Sequence, residues 1–330
     1  MLLLPESLLI DRIHMIKLKQ LTQFREFILL VIIVLLGAGV SMRSHEFLTV
    51  DNLLVLLLSI AVDSIIAVGM TILMVSGGFD LSVGSTMAMT GAVAAYCLAA
   101  GLPVPVAIVV ALAAGLAIGL VNWLLIARVG INPFITTLAM MGIIHGILLV
   151  FTHSMNISVQ SASFKVIGQG TVCGVQYPII IALVLIGVGD IALRKTRFLR
   201  QNYYLGGNEK AARLSGIPVR GLKIFNYALV GVLAAVAGVV MTARVGSASV
   251  TAGAGLELKV ITAVIIGGAS LKGGEGTVFG SFLGALLMAM LSIALPLLGV
   301  NIDYNELVLG ATLLIAVLID TLTRPRGARE

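Results

Sequence analysis

Charge is what this sequence lacks most. Only 11% of its 330 residues are Asp, Glu, Lys or Arg, while 59% are hydrophobic. A soluble domain carries about 25% charged residues, so this chain cannot coat a globule with polar surface, which identifies a polytopic membrane protein. Nucleotide chemistry of its own is excluded as well, because no GxxxxGK[ST] phosphate loop occurs. The four histidines (His14, His45, His145, His153) form no HExxH pair. The two cysteines, Cys97 and Cys173, lie far apart without metal-type spacing and give little basis for a disulfide.

Long apolar runs are what the sequence has. A helix needs about 20 residues to cross the ~30 Å hydrocarbon core. Ten candidates stand at 27–42, 52–75, 82–100, 104–127, 134–152, 176–193, 224–243, 258–270, 277–298 and 305–322. The first and eighth are short, which predicts tilting, a break or partial re-entry. The expected fold is an all-α membrane protein of about ten transmembrane helices with both termini cytoplasmic. A cytoplasmic tail would cover 1–26, one transmembrane domain 27–323, and a second tail 324–330. No small-residue cleavage site follows the first run, which therefore reads as an uncleaved span; Met15 is a second candidate for the start.

Charge distribution carries the orientation. With ten spans and both ends inside, 17 of the 21 Lys and Arg residues fall on the inner side, and only Arg43, Lys165, Arg244 and Lys259 outside. That asymmetry is the positive-inside pattern, and it accounts for the net charge of +6 without nucleic acid. Eight of the basic residues lie in one thirty-residue stretch, 194–223. The segment 153–176, rich in Ser, Gly and Gln, falls on the outer face.

Several stretches interrupt the apolar pattern. Ser76-Gly-Gly-Phe-Asp80-Leu-Ser82-Val-Gly-Ser85 places two glycines, a carboxylate and hydroxyls between spans two and three. Non-helical backbone at membrane depth survives only inside protein or beside water, so Asp80 and Ser82 are candidates for a translocation path. The alternative is a short inner turn with Asp80 capping the next helix. Asp63 sits within span two, where an ionisable group is costly and a functional candidate by default. Its alternative is a neutralised carboxyl bonded to a neighbouring helix. Asn132-Pro133 opens span five as cap and first turn. Thr136 and Thr137 follow, either facing a polar conduit or bonding their own backbone. The segment from Val245 to Lys259, containing Glu257, is too small and polar to span. Pairs at small-xxx-small spacing, Gly115/Gly119, Gly142/Gly146 and Gly276/Gly280/Gly284, predict close helix seams.

Inside the basic stretch, Asn208-Glu209-Lys210-Ala211-Ala212-Arg213-Leu214-Ser215-Gly216-Ile217-Pro218 reads as a capped short helix ended by Gly216 and Pro218. Such a helix, held at the membrane surface by two spans, suits a groove on a partner protein. An interfacial helix on anionic lipid would use the same Lys and Arg residues.

At this point the chain resembles a known family. The motifs are FLTVDNL (47–53), IIAVGMT (65–71), SGGFDLSVGS (76–85), LGGNEKAARLSGI (205–217), TAGAGLELKVITAVIIGGASLKGGEGTVFGS (251–281) and LLGV (297–300). They are similar to the permease subunits of ATP-binding cassette importers for monosaccharides, the ribose, galactose, xylose and autoinducer-2 group, within a family shared with branched-chain amino acid permeases. The resemblance implies a pseudo-symmetric inverted-repeat permease in the bacterial inner membrane, working with a second permease chain, an ATPase subunit and a periplasmic sugar-binding protein. ATP and Mg would be bound by the ATPase subunit, leaving this chain without a cofactor. The coupling segment would comprise Asn208, Glu209, Ala211, Ala212, Arg213 and Gly216. The path would draw on Asp63, Asp80, Ser82, Asn132, Thr136, Thr137 and Glu257. Lys259, where ribose-type members carry an acidic residue, and Asp63 depart from the family pattern.

Rival readings differ in power source. An ion-coupled secondary transporter would use Asp63 and Asp80 and no ATPase. An intramembrane enzyme lacks any Ser/His, paired-Asp or metal constellation at usable spacing. A channel or receptor scaffold would bind no ATPase.

Overall fold

The computed structural model describes residues 6–43, 47–301 and 303–322. Residues 1–5 of the expected N-terminal tail and the whole expected C-terminal tail lie outside the described residues.

Each of the ten apolar runs is a helix. The chain opens with α1 (Glu6–Arg43), α2 (Val50–Val75), α3 (Val83–Ala99), α4 (Val104–Trp123), which continues as a π-helix over Leu124–Val129, and α5 (Pro133–Thr152). Next come β1 (Ile157–Ser158), α6 (Ala162–Gln169) and a hairpin of β2 (Thr171–Val172) with β3 (Val175–Gln176). They lead to α7 (Tyr177–Lys195), α8 (Arg197–Gly207), α9 (Glu209–Leu214), α10 (Val219–Val245) and β4 (Ser247–Ala248). The chain ends with α11 (Leu256–Ile266), α12 (Val278–Leu297) and α13 (Tyr304–Leu322). Among the described residues, seven helices are long and apolar enough to cross a membrane, while the apolar stretches Val83–Ala99 of α3 and Tyr304–Leu318 of α13 are shorter.

Two expectations about span length part company here. The eighth span is indeed short, because α11 has eleven residues and a rise of roughly 16 Å. The first is not. Helix α1 runs 38 residues without a break, since nothing between Glu6 and Phe27 stops a helix; its polar arm continues the apolar half, Arg25–Arg43, across the boundary expected at residue 26. The basic stretch holds two helices where one was expected. Helix α8 escaped notice because its apolar positions alternate with Arg, Gln and Asn, yet Thr196 caps it and Leu199, Asn202 and Leu205 are buried on one face.

Helices α2 and α10 form the centre. From Ile60 to Val75 almost every residue of α2 is buried, as expected of a helix apolar on all sides. Helix α10 lies against α4, α3 and α2, and α2 also meets α7, α11 and α12. The seam between α4 and α10 is made of glycine: a Cβ on Gly115 would stand 2.4 Å from the Gly231 carbonyl oxygen, and one on Gly119 2.3 Å from that of Tyr227. Gly280 and Gly284 bring α12 equally close to Gly267 and Ala263. The third pair fails as an internal seam, because Gly142 and Gly146 face open space on α5.

The interhelical segments gather at opposite ends. At one end β1 pairs antiparallel with β4, Ile157 opposite Ala248, and α6 rests on the last turn of α10, where Gln169 donates to the Arg244 carbonyl at 2.9 Å. At the other end the bases of α1 and α7 meet the α11–α12 loop. Glu26 accepts from Arg194 at 2.6 Å and from Thr277, Arg25 pairs with Glu275 at 3.0 Å, and Asp190 accepts from the Phe279 amide at 3.0 Å.

Candidate functional site

The first region of interest is the turn between α2 and α3. Asp80 is buried, and its carboxylate is held by three donors. Oδ1 accepts from the Ser82 amide at 2.7 Å and the Ser82 hydroxyl at 2.6 Å, while Oδ2 accepts from Asn122 Nδ2 at 3.1 Å. Asn122 also donates to Ser82 Oγ at 2.9 Å. A buried carboxylate without partners is strongly destabilising, so this arrangement pins the turn to α4. Asp80 does not cap α3: its bonds go to Ser82, the N-cap residue, and no side chain fills that cap. Asn122 went unnoticed in the sequence, although a lone amide in Gly-Leu-Val-Asn-Trp-Leu-Leu was signal enough.

Around this pin the structure collects some of the expected path residues and leaves others aside. Glu257 opens α11 with its carboxylate beside Gly84, the second residue of α3, 2.7 Å from where a Cβ would be. Gly253 lies against Gly84 backbone to backbone, so the chain from Ser249 to Gly255 turns back from the β4 end to the start of α3. Phe134 stacks on Phe79 with centroids 6.2 Å apart, which brings the start of α5 to the same turn. There Asn132 Oδ1 caps α5 through the Phe134 and Ile135 amides. Thr136 and Thr137 are buried and donate to the carbonyls of Asn132 and Pro133 at 3.0 and 2.8 Å, the local bonding that threonine favours within a helix. Asp63 lies further back along α2, five residues beyond Leu58, whose carbonyl accepts from Arg244 at 3.1 Å.

The second region is α9 and its mount. Asn208 caps the helix by accepting from the Ala211 amide at 3.0 Å. Gly216 adopts φ +77° and turns the chain out. Glu209 reaches Lys223 of α10 at 2.8 Å and Arg213 at 3.2 Å; the Lys223 hydrogen bond, before all else, holds its carboxyl below the usual glutamate range. Ala212 is the buried anchor, while Ala211, Arg213 and Gly216 are exposed and Leu214 is 90% exposed.

Behind α9 three glycine segments interlock. Gly206, in the last turn of α8, sits where a Cβ would come 2.0 Å from the Val75 carbonyl oxygen and 2.4 Å from the Gly274 amide. Gly273 in turn touches Gly206 and Gly77. The Gly274 amide donates to the Val75 carbonyl at 2.8 Å, and the Tyr203 hydroxyl to the Gly276 carbonyl at 2.8 Å. Burial pushes that hydroxyl up to about 12, so it remains a donor at neutral pH. The motifs SGGFD, LGGNE and LKGGEG, up to about 200 residues apart in sequence, thus meet at one point.

Residues 52–317 match the family described as the branched-chain amino acid transport system / permease component. The chain belongs to that family. This permease is 41% identical over 295 residues to the ribose import permease protein RbsC of Escherichia coli K12, covering 88% of its own length and 92% of the relative's. It is 40% identical over 304 residues to that of Haemophilus influenzae, covering 91% and 93%. To the L-arabinose ABC transporter permease protein AraH of Azospirillum brasilense it is 38% identical over 296 residues, covering 90% and 87%. No solved structure matches the permease. It is a multi-pass membrane protein of all-α fold.

Proposed function

We propose that this chain is the membrane-spanning subunit of an ATP-driven, binding-protein-dependent importer that carries a ribose-like monosaccharide across the bacterial inner membrane. The observation that carries the reading is α9: a six-residue helix, capped at Asn208, anchored by Ala212 and Lys223, presenting Leu214 outward. It suits a groove on a cytosolic ATPase, which would bind ATP and Mg. The relatives' names, ribose and arabinose permeases, support a sugar as cargo. A second permease chain and a periplasmic binding protein complete the assembly.

In this scheme the binding protein supplies affinity, and the permease offers only a few weak polar groups by alternating access. Asp80 fits a scaffold role better than an ion site, since Ser82 and Asn122 already occupy its carboxylate. The path then passes the exposed polar stretch at Thr251 and Lys259 and the half-buried Glu257.

The test is uptake of labelled ribose by proteoliposomes holding the permease with its ATPase and binding protein. Gly216→Leu forces a branched side chain into a left-handed conformation, costing about 1–2 kcal/mol locally. It is expected to abolish uptake and binding-protein-stimulated ATP hydrolysis while the chain stays in the membrane. Normal uptake by that variant overturns the coupling assignment. Uptake that persists without the ATPase and collapses with an uncoupler would establish ion coupling instead.

A further inference from the structure

We infer that the interlock of Gly206, Gly77 and Gly273 is the joint through which movement of α9 reaches the membrane core, with Gly206 as a positioning residue for ATP-driven transport. This rests on the reading of α9 as the ATPase-docking helix. Gly206 and Gly207 immediately precede Asn208, the cap of α9, so displacement of α9 acts directly on the end of α8. There the contacts are backbone on backbone. Gly206 meets the Val75 carbonyl at the end of α2 and the Gly274 amide in the α11–α12 loop, while Gly273 leans on both Gly206 and Gly77. No flexible side chain lies between them to absorb a shift, and close-packed backbone transmits it.

The elements joined are those nearest the path. Helix α2 leads directly into the Gly77–Asp80 turn, pinned to α4 through Asn122. The α11–α12 loop is continuous with α11, whose first turn holds Glu257 beside Gly84. One push at Gly206 therefore reaches both walls of that turn. Tyr203, one turn earlier on α8, adds a second tie through the Gly276 carbonyl at 2.8 Å. Neighbouring Gly207 has no atom within 4 Å of a Cβ position, which makes it a control in the same turn of helix.

The experiment uses the complete importer in proteoliposomes, with Gly206→Ala, Tyr203→Phe and Gly207→Ala. Gly206→Ala is expected to keep the ATPase bound and its basal hydrolysis intact, yet to lose about tenfold or more of binding-protein-stimulated hydrolysis and of ribose uptake. Tyr203→Phe keeps the ring in place and is expected to lose about threefold of both, with the ATPase still bound and its basal hydrolysis unchanged. Gly207→Ala is expected to match the wild type. Wild-type stimulation and uptake in Gly206→Ala overturn the inference. If Gly206→Ala does not assemble, Tyr203→Phe decides, and full stimulation there overturns it equally. Retention of the ATPase by an Ala212→Asp variant, by contrast, would defeat the docking reading of α9 and leave the glycine contacts untouched.

Discussion

Helices α4 and α5 carry the same motif and use it oppositely. Gly115 and Gly119 lie in the buried stripe Ala107, Ala111, Gly115, Gly119, Asn122 of α4, pressed on the backbone of α10. Gly142 and Gly146 have the same spacing, but α5 buries the opposite face, through Thr136, Thr137, Met140, Ile144 and Leu148, and leaves its glycines bare. Small-xxx-small spacing thus marks where a helix could be approached, and its neighbours decide whether it is. What separates the two helices is Asn122: the stripe of α4 ends in a side chain that must find Asp80, while the glycines of α5 have no such polar partner.

The largest expected effect tests the seam directly. Gly115→Leu should destabilise the permease by about 3 kcal/mol or more through overpacking against the Gly231 carbonyl, seen as a lowered melting temperature and poor recovery in detergent. Gly142→Leu should leave stability unchanged or raise it by up to about 1 kcal/mol, since it meets open space and replaces a helix-interior glycine; comparable losses in both would break the contrast between the helices. Next in size, Asn122→Ala removes a hydrogen bond to a buried carboxylate and should cost about 2 kcal/mol, while Asn132→Ala, an exposed cap on α5, should cost about 1 kcal/mol. Smallest is Glu209→Gln on α9, under about 1 kcal/mol because its ion pairs are partly solvated. The sign of its pH dependence is fixed: the carboxyl is depressed in the folded chain, so its contribution is complete above the ordinary glutamate range and is lost as pH falls through and below it. Melting curves of Glu209→Gln and wild type should therefore converge in acid and separate toward neutrality.

The same contrast explains what was legible in the sequence. Apolar runs reveal helices because each must satisfy its own backbone in lipid, so all ten runs were found, and Asn208, Gly216 and Asn132 announced their local roles by type and position. Contacts between distant segments leave no such trace. Nothing near Gly206 indicates that Gly77 and Gly273 touch it, and nothing in the spacing of Gly142 and Gly146 warns that α5 turns them away. Helix α8 was missed because its buried face includes Asn202, paired with Asn226 at 2.9 Å, where an apolar period would have shown. The length of α1 was misjudged because hydropathy records where lipid ends and not where a helix does.

The brevity of α11 has a consequence for how the chain is made. Eleven residues are about half of what a segment needs to partition into a bilayer unaided, and its first turn carries Glu257 and Lys259. Its apolar partner α12 has twenty residues and touches it through Gly280 and Gly284. We therefore expect α11 to enter the membrane only together with α12, as one hairpin, the shorter carried by the longer, so that a chain cut before Val278 should leave α11 uninserted.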